Sequence, residues 1–431
     1  MSNPSCLTEG FSHEITNSGP YKLQRTIKIG TKRFVSSLPR LGDGTKPFDD
    51  WWMQVILGAE PAVEYSDSKT SVIRIADLFC GSGGFSLGTK MAARALGMTF
   101  QSVVAVDTDL DALGAYRQNY WPTHAIGKSV EDICDAKLSP SNRSQFYFPP
   151  ELVGEASEVV DEVDLVIAGP PCQGHSNLNN HTRRDDNRNQ LYRSPLVFAL
   201  AAGAHSLLIE NVPSVVHDRG QIVNATTELI LGSQWTHDST LISASALGWP
   251  QTRKRHFLHA AAAEMHTVPL SVVSAALQEP ARPLSWLLAD LLDADQSNFM
   301  NRSGELSTEN QERISFLFSR DLHDLPDEQR PASHRNGHTY GSSYGRLHWD
   351  RPAGTITTGF MTPGRGRFIH PLAPRTLTPR EAARIQGFPD SYQFGRENSD
   401  PARTDLAKWI GDAVPSIIGY AAALSALTGH V

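Results

Sequence analysis

The chain has 431 residues, enough for one large domain and smaller parts, and its hydrophobic content of 40% and charged content of 20% are ordinary for a folded protein. The formal net charge of −7 does not indicate nucleic-acid binding, although a local basic face is sufficient for that purpose. Four cysteines, at positions 6, 80, 134 and 172, form no Cys-x-x-Cys pair, which argues against a metal site and a disulfide framework. This cysteine pattern fits a reducing, cytoplasmic compartment best. The chain has neither an apolar run of membrane-spanning length nor the pattern of a secretory signal, so no membrane contact is expected.

The first 70 residues contain no chemical motif and are interpreted as an N-terminal extension of unknown role. Alternating apolar and basic residues over 21–35 predict a hairpin that turns at Gly30-Thr31. Residues 48–57 have the pattern of a short amphipathic helix.

From residue 72 onwards, strand-like and helix-like segments alternate. Repeated βα units predict an α/β fold with a doubly wound, mostly parallel sheet covered by helices on both faces. Beyond residue 262 the alternation fades, and a final helix over 413–427 is apolar on most sides. The predicted strands are 72–79, 102–106, 124–127, 165–168, 206–209, 240–243 and 256–260, and the main predicted helices are 85–96, 111–120, 192–204 and 222–231.

Cys172 has the most informative setting in the chain. It lies in Gly169-Pro-Pro-Cys-Gln-Gly, directly after the apolar run of residues 165–168. The two prolines end the strand, so the thiol is delivered on a stiff loop at the carboxyl end of a strand, where open α/β sheets bind their ligands. This setting favours a nucleophile over a buried structural cysteine.

A glycine-rich turn follows the first strand of the series. Gly81, Gly83 and Gly84 allow a ligand to approach the backbone closely, and Asp107 ends the next strand, where a carboxylate can accept hydrogen bonds from ribose hydroxyls. The turn alone is compatible with a dinucleotide site. Its Gly-Ser-Gly-Gly order and the absence of an obvious hydride-acceptor site favour S-adenosylmethionine. Asp132, after the third strand, can accept from an adenine amino group, although a solvated loop acid is nearly as good an interpretation.

Two further segments carry candidate catalytic groups. Glu210 follows three aliphatic residues at a strand end, where burial of a carboxylate requires a partner or a function such as sharing a proton with a ring nitrogen. Arg253 and Arg255 alternate before a short strand, so both are predicted to point to one face and to hold planar oxygens or phosphates. A basic run by itself is more often a solvated face.

These segments together resemble the DNA (cytosine-5)-methyltransferases, over roughly residues 72 to 425. Each motif alone is modest evidence, whereas the ordered set is highly specific. The motifs are Asp77-Leu-Phe-Cys-Gly-Ser-Gly-Gly, Gly169-Pro-Pro-Cys-Gln-Gly, Asp186-x-Arg188-x-x-Leu191, Glu210-Asn-Val, Gln251-x-Arg-x-Arg, Arg380-Glu-Ala-Ala-Arg-Ile-Gln-Gly-Phe-Pro-Asp and Gly411-Asp-Ala-Val.

The resemblance implies a reaction and a set of site residues. Cys172 is expected to add to C6 of a flipped-out cytosine, with Glu210 at N3 and the exocyclic amine, and with Arg255 and Arg253 at the O2 edge or neighbouring groups. The methyl group then passes from S-adenosylmethionine to C5. Phe79 is expected to stack on the cofactor's adenine, Asp107 to hold the ribose and Asp132 the adenine amine. The expected cofactor site comprises Asp77, Phe79, Gly81, Gly83, Asp107, Asp132, Pro171 and Leu191.

The family resemblance also implies a domain organisation and partners. The catalytic domain is expected over 71–261 and 375–431, and a smaller target-recognition domain over 262–374. Double-stranded DNA is the expected substrate, and the enzyme is expected to be a monomer. The usual setting of such a compact enzyme is bacterial restriction–modification. In that setting a cognate restriction endonuclease, acting separately, is an expected partner. Two residues depart from the family pattern: Asp412 replaces the usual asparagine, and His175 replaces a phenylalanine. The alternatives are the same chemistry on RNA, or a non-catalytic DNA-binding module.

Overall fold

The computed structural model describes residues 10–40, 43–66, 71–142, 144–171, 191–335, 341–395 and 400–431. The chain divides into two compact units. The first comprises Met1–Ser243, Lys254–Gln278 and Val414–Val431, and the second comprises Ala244–Arg253 and Glu279–Ala413.

The N-terminal extension is folded and belongs to the first unit. It forms an antiparallel sheet in the order β1 (Phe11–Asn17), β2 (Lys22–Ile29), β3 (Lys32–Pro39) and β4 (Ala62–Ser66), with α1 (Pro47–Ile56) between the last two strands. The predicted hairpin is confirmed, since Ile29 pairs with Lys32 across the turn and Gly30 has a φ of +56°. The predicted amphipathic helix is confirmed as α1.

The rest of the first unit contains a seven-stranded sheet with helices on its faces and a separate sheet of two short strands. The sheet order is β12-β13-β11-β10-β5-β6-β7, and β13 is the strand that runs antiparallel to its neighbours. The predicted mostly parallel, doubly wound sheet is thus confirmed. The elements are β5 (Val72–Leu78), α2 (Gly84–Ala95), β6 (Thr99–Val106), α3 (Leu110–Tyr120), β7 (His124–Ile126), β8 (Cys134–Asp135), β9 (Glu151–Leu152), β10 (Leu165–Ala168), α4 (Ser194–Ala201), β11 (Ser206–Asn211), α5 (Ile222–Gly232), β12 (Trp235–Ser243), β13 (Lys254–Ala262), α6 (Leu270–Ala276) and α11 (Ser416–Leu427).

The order of the strands determines where a ligand can bind. From β5 the chain moves outward to β6 and β7, and it then returns to the other side of β5 with β10 and β11. Every residue of β10 is buried, as expected for a central parallel strand covered on both faces. The direction of winding reverses between β5 and β10, and open α/β sheets bind ligands outside the carboxyl ends of the strands at such a point.

The second unit has short helices joined by long irregular segments, and it has its own small core. Its helices are α7 (Leu284–Leu288), α8 (Thr308–Ser319), α9 (Pro379–Ile385) and α10 (Arg403–Asp412). Ile314 and Leu317 of α8 pack into a cluster with Ile369. No single helix in the described ranges is long and apolar enough to cross a membrane, and α10 and α11 meet that criterion only as a bent pair.

The boundaries of the two units differ from the predicted domains. Residues 375–413, expected in the catalytic domain, belong to the second unit together with 244–253. Hydrogen bonds explain this grouping: Trp249 Nε1 donates to the carbonyl of Ile385 at 2.8 Å, and Gln251 Nε2 donates to Gln386 Oε1 at 3.0 Å. Residues 262–278, expected in the target-recognition domain, belong to the first unit.

Candidate active site

The loop between β5 and α2 has the backbone conformation that its glycines predict. Gly81 and Gly83 have φ angles of +51° and +93°, and Phe79 also adopts a positive φ, of +57°. A positive φ is energetically costly for a bulky residue such as Phe79. Such a conformation is found where the surrounding structure enforces it, often at ligand sites. The Cys80 amide donates to the carbonyl of Val106 at 3.0 Å, which ties the loop to the end of β6.

Asp107 holds this loop in place from the end of β6. Its Oδ2 accepts from the amide of Gly81 at 2.8 Å, and its Oδ1 accepts from the amide of Asp109 at 2.8 Å. A methyl group added to Gly81 would meet no atom within 4 Å, so the loop backbone borders open space there. The loop therefore leaves room for a ligand beside the Asp107 carboxylate.

Asp77 begins a buried hydrogen-bond chain beneath the loop. The Ser86 hydroxyl donates to Asp77 Oδ2 at 2.7 Å and lies 2.8 Å from the Tyr116 hydroxyl, which in turn lies 3.0 Å from Ser102 Oγ. Burial raises the pKa of Asp77 to about 8, although the bond from Ser86 lowers it, and the negative charge of Asp107 raises it further. Asp77 therefore supports the loop from inside the fold.

The pKa of Asp77 predicts a distinct pH dependence of stability. In the folded protein this carboxyl keeps its proton up to a pH of about 8, whereas the unfolded chain releases it near pH 4. Stability from this group is thus present below pH 4 and is lost as the pH rises towards 8. The Asp77→Asn variant has no proton to lose at this position, so its stability should not fall in this way. The difference in free energy of unfolding, variant minus native, should therefore increase by up to about 1.4 kcal/mol per pH unit across this window. Urea unfolding at pH 5, 6 and 7 measures it, and a constant difference would contradict the prediction.

The loop that carries the predicted nucleophile starts beside the cofactor loop. The Gly169 amide donates to the carbonyl of Leu78 at 3.3 Å, which joins the ends of β10 and β5. Asn211 Nδ2 donates to the carbonyl of Pro170 at 3.3 Å, while Asn211 Oδ1 accepts from the Val212 amide at 2.8 Å. Cys172 itself, like His175, Asp186 and Arg188, lies outside the described residues. The described anchor points place the start of its loop at the point where the winding reverses.

Glu210 lies at the same edge, at the end of β11, and is 7% exposed. Its Oε1 lies 2.7 Å from Arg255 Nε, and the two side chains form an ion pair. The geometry of this contact is not that of a hydrogen bond, so Glu210 Oε1 accepts no hydrogen bond from the described residues. A methyl group added to Gly169 would lie 3.8 Å from Glu210 Oε2. A buried carboxylate beside the nucleophile loop, paired with a guanidinium and with hydrogen-bonding capacity left, can share a proton with a ligand.

The other predicted site residues of the first unit lie in segments between strands and helices. Pro171 and Leu191 are half-buried on either side of the undescribed loop, and Asp132 is exposed in a short 3-10 turn after β7. Tyr192, which the sequence reasoning missed, is buried, and its hydroxyl has no hydrogen-bond partner in the described chain. Burial, and secondly the charge of Glu210, raise the pKa of Tyr192. Asn211 was also missed, although its place directly after Glu210 was a usable signal.

Arg253 is a buried residue that bonds to backbone carbonyls. It belongs to the second unit, is 4% exposed, and its Nη1 donates to the carbonyls of Ile356 at 2.9 Å and Gly411 at 3.3 Å. These bonds favour a role in joining the segment around Ile356 to the end of α10 at Gly411. The contact of Arg253 with the target base stays a prediction.

Within the target-recognition domain that the family resemblance implies, the tract richest in residues suited to DNA contacts is 329–346. Its described arginines also bond within the second unit. Arg330 Nε donates to the carbonyl of Leu325 at 2.8 Å, and Arg335 Nε to the carbonyl of Arg330 at 2.8 Å. Arg346 pairs with Asp321 at 3.0 Å. Residues 336–340 of the tract lie outside the described residues, so its role in reading DNA stays a prediction.

The fold and the site define a class of protein. A doubly wound sheet with one antiparallel strand, a glycine loop after its first strand and a buried carboxylate at the carboxyl end of β11 are the features of an α/β methyltransferase. Residues 73–425 match the family model of the C-5 cytosine-specific DNA methylases. The chain belongs to this family and is a DNA cytosine-5 methyltransferase, whose reaction needs a methyl donor.

Similar proteins agree with this assignment. The chain is 39% identical over 384 residues to the type II methyltransferase M1.BsuMI of Bacillus subtilis, covering 88% of this chain and 85% of the relative. It is 30% identical over 363 residues to the type II methylase M.HgiDII of Herpetosiphon aurantiacus, covering 81% and 94%. Among solved structures, a prophage-encoded DNA modification methyltransferase from E. coli has the same fold, with a TM-score of 0.53, 23% identity and coverage of 83% and 99%.

Proposed function

We propose that this enzyme transfers the methyl group of S-adenosylmethionine to C5 of a flipped-out cytosine at a specific sequence in duplex DNA, through a covalent bond between Cys172 and C6. The observation that carries the proposal is the convergence of three groups at one sheet edge. These are the open glycine loop held by Asp107, the anchored start of the Cys172 loop, and the buried pair of Glu210 with Arg255.

The residues of the first unit fit the proposed methyl donor. The open space at Gly81 can receive an adenosyl group, and the Asp107 carboxylate beside it can accept from ribose hydroxyls. Phe79 would stack on the adenine and Asp132 would accept from its amino group, with Asp77, Gly83, Pro171 and Leu191 lining the rest of the site. When bound, S-adenosylmethionine supplies an electrophilic methyl group.

The proposed chemistry uses the groups at the sheet edge in sequence. The Cys172 thiolate forms a bond to C6, the electrons of the C5–C6 double bond shift to C4–C5, and those of the C4–N3 double bond move to N3. N3 takes a proton from the Glu210 side chain, which has first acquired that proton from solvent. Arg255 holds the O2 edge and keeps the Glu210 carboxylate in position. After C5 has gained the methyl group it loses its proton to a base. The S–C6 bond then breaks, the double bond re-forms, and Glu210 recovers the N3 proton.

A stacked duplex does not expose C6, so the cytosine must leave the helix. Target recognition is proposed for the second unit, and the biological role proposed is protection of host DNA beside a cognate restriction endonuclease. A monomer is sufficient, because the three groups come from one chain.

A covalent-capture experiment tests this function. The native protein should form a denaturation-resistant complex with duplex DNA that contains 5-fluorocytosine at the target site, and Cys172→Ala should form none. Bisulfite sequencing of host DNA after expression should identify the methylated site. Transfer of label to transfer RNA and not to duplex DNA would overturn the substrate assignment, and capture by Cys172→Ala would overturn the assigned nucleophile.

A further inference from the structure

The N-terminal sheet buries a charged side chain that the proposed reaction does not use. Arg25 of β2 is 2% exposed, and burial lowers its pKa. Its Nε donates to Ser36 Oγ at 3.0 Å, and its guanidinium carbon lies 4.9 Å from the centroid of the Trp51 ring. No carboxylate of the described chain forms an ion pair with it. A buried charge without an opposite charge is costly, and such groups are retained in some proteins because they define one arrangement of the surrounding elements.

The arrangement that Arg25 defines includes the last helix of the chain. Arg25 Nη1 lies 3.4 Å from the hydroxyl of Tyr420 on α11, and that hydroxyl lies 2.9 Å from His13 Nε2 on β1. Burial lowers the pKa of His13 to about 3, so the imidazole is neutral and can accept from Tyr420 while Tyr420 accepts from Arg25. The ring of Trp52 on α1 packs edge-on against Tyr420, with centroids 5.5 Å apart. Three elements of the N-terminal extension therefore hold one side chain of α11.

The same part of α11 lies directly against the helix that follows the cofactor loop. A methyl group added to Gly88 of α2 would lie 2.6 Å from both the carbonyl oxygen of Ser416 and the amide nitrogen of Tyr420. Gly88 is one turn beyond Gly84, where α2 begins. A displacement of Tyr420 is thus transmitted to α2 by backbone contact, because two helices packed this closely move together.

The far end of α2 is held by the N-terminal extension as well. Arg94 Nε donates to the carbonyl of Pro61, just before β4, at 2.7 Å, and the Arg94 guanidinium forms an ion pair with Glu60. The extension therefore contacts α2 directly near its C-terminus and through Tyr420 near its N-terminus.

We propose that the N-terminal sheet and α1, residues 11–66, brace α11 against α2 and thereby set the position of the loop 79–83 for cofactor binding, with Arg25 and Tyr420 as positioning residues. This inference rests on the proposed cofactor. Residues 11–66 contribute no atom to the site. Their contacts affect the Kd of the cofactor and not the chemical steps on the reacting base.

The test compares three variants of the full chain. Tyr420→Phe removes the hydroxyl and keeps the ring, and Arg25→Met replaces the charge with an apolar chain of similar length. Lys28→Met is the matched control, because Lys28 lies on the same strand and is exposed. The Kd of S-adenosylmethionine is measured by titration calorimetry well below each variant's unfolding midpoint, and kcat is measured at saturating cofactor.

Arg25→Met and Tyr420→Phe should weaken cofactor binding by about 3- to 30-fold, with kcat at saturating cofactor close to native and Lys28→Met unchanged. A lowered unfolding midpoint with a native Kd in folded Tyr420→Phe would show structural support alone and would overturn the inference. If Arg25→Met does not fold, the Kd of S-adenosylmethionine for Tyr420→Phe alone tests the inference. Failure of the native protein to bind S-adenosylmethionine would instead overturn the proposed cofactor.

Discussion

Replacing Glu210 by glutamine is expected to lower kcat for methyl transfer by about 10²- to 10⁴-fold, the range contributed by a positioned acid–base group. Glutamine keeps the shape of the side chain and an acceptor oxygen 2.7 Å from Arg255 Nε, but it cannot deliver a proton to N3 of the cytosine. The glutamine variant avoids the larger loss of stability that alanine would cause by leaving the Arg255 guanidinium without a partner. Steady-state methylation with tritiated methyl donor measures kcat.

Asp164→Asn is the matched control for Glu210→Gln. Asp164 is also a mostly buried carboxylate paired with an arginine, since its Oδ1 is 2.7 Å from Arg74 Nη2, but it precedes β10 at the opposite edge of the sheet. The control should lose stability and keep its kcat within about twofold. A Glu210→Gln variant that retained more than a third of native kcat would remove Glu210 from the proposed mechanism, and an equal loss in Asp164→Asn would show a general effect of charge removal.

A single methyl group at Gly88 is expected to destabilise the protein by about 3 kcal/mol or more. The added carbon would lie within 2.7 Å of backbone atoms of Ser416, Gly419 and Tyr420, and backbone cannot move aside as the end of a side chain can. α2 and α11 would have to separate, which would open the core that both helices cover. The measurement is the free energy of unfolding of Gly88→Ala in urea.

Gly114→Ala is the control for this substitution, with an expected effect of opposite sign. Gly114 lies inside α3, and a methyl group there meets no atom within 4 Å. Alanine should therefore stabilise the protein by about 0.5–1 kcal/mol, because it reduces the conformational freedom of the unfolded chain. Equal effects of the two alanine substitutions would contradict the close contact between α2 and α11.

The strands and helices of the first unit were largely predictable because hydrophobic periodicity is local. The apolar run of residues 165–168 coincides with β10, and the final helix is buried on all sides, as its composition indicated. The predicted strand over 240–243 was too short. β12, which begins at Trp235, is an edge strand whose residues are mostly polar, so they give no apolar run. The predicted helix start at residue 192 was two residues early, since α4 begins at Ser194, directly before Pro195.

The candidate site was predictable as a set of segments and less so as a set of contacts. Proline fixes φ, and glycine permits a positive φ. The proline pair before Cys172 and the glycines at 81 and 83 could therefore be placed at strand ends from the sequence. The different partners of Arg253 and Arg255 do not follow from the sequence. Alternate spacing predicts one shared face but not the partners of each side chain. Arg255 lies on β13 beside Glu210, and Arg253 bonds to carbonyls more than 100 residues away in sequence.

The sequence by itself determined the class of fold, the order of the motifs and the family, because these depend on local pattern and residue chemistry. Only the tertiary structure decided that Glu210 pairs with Arg255, that Asn211 holds the loop leading to Cys172, and that the N-terminal extension is joined to α11 through Arg25 and Tyr420. Each of these contacts joins residues far apart in the chain. Their partners are selected by how the sheet and helices pack, which no local window of sequence records.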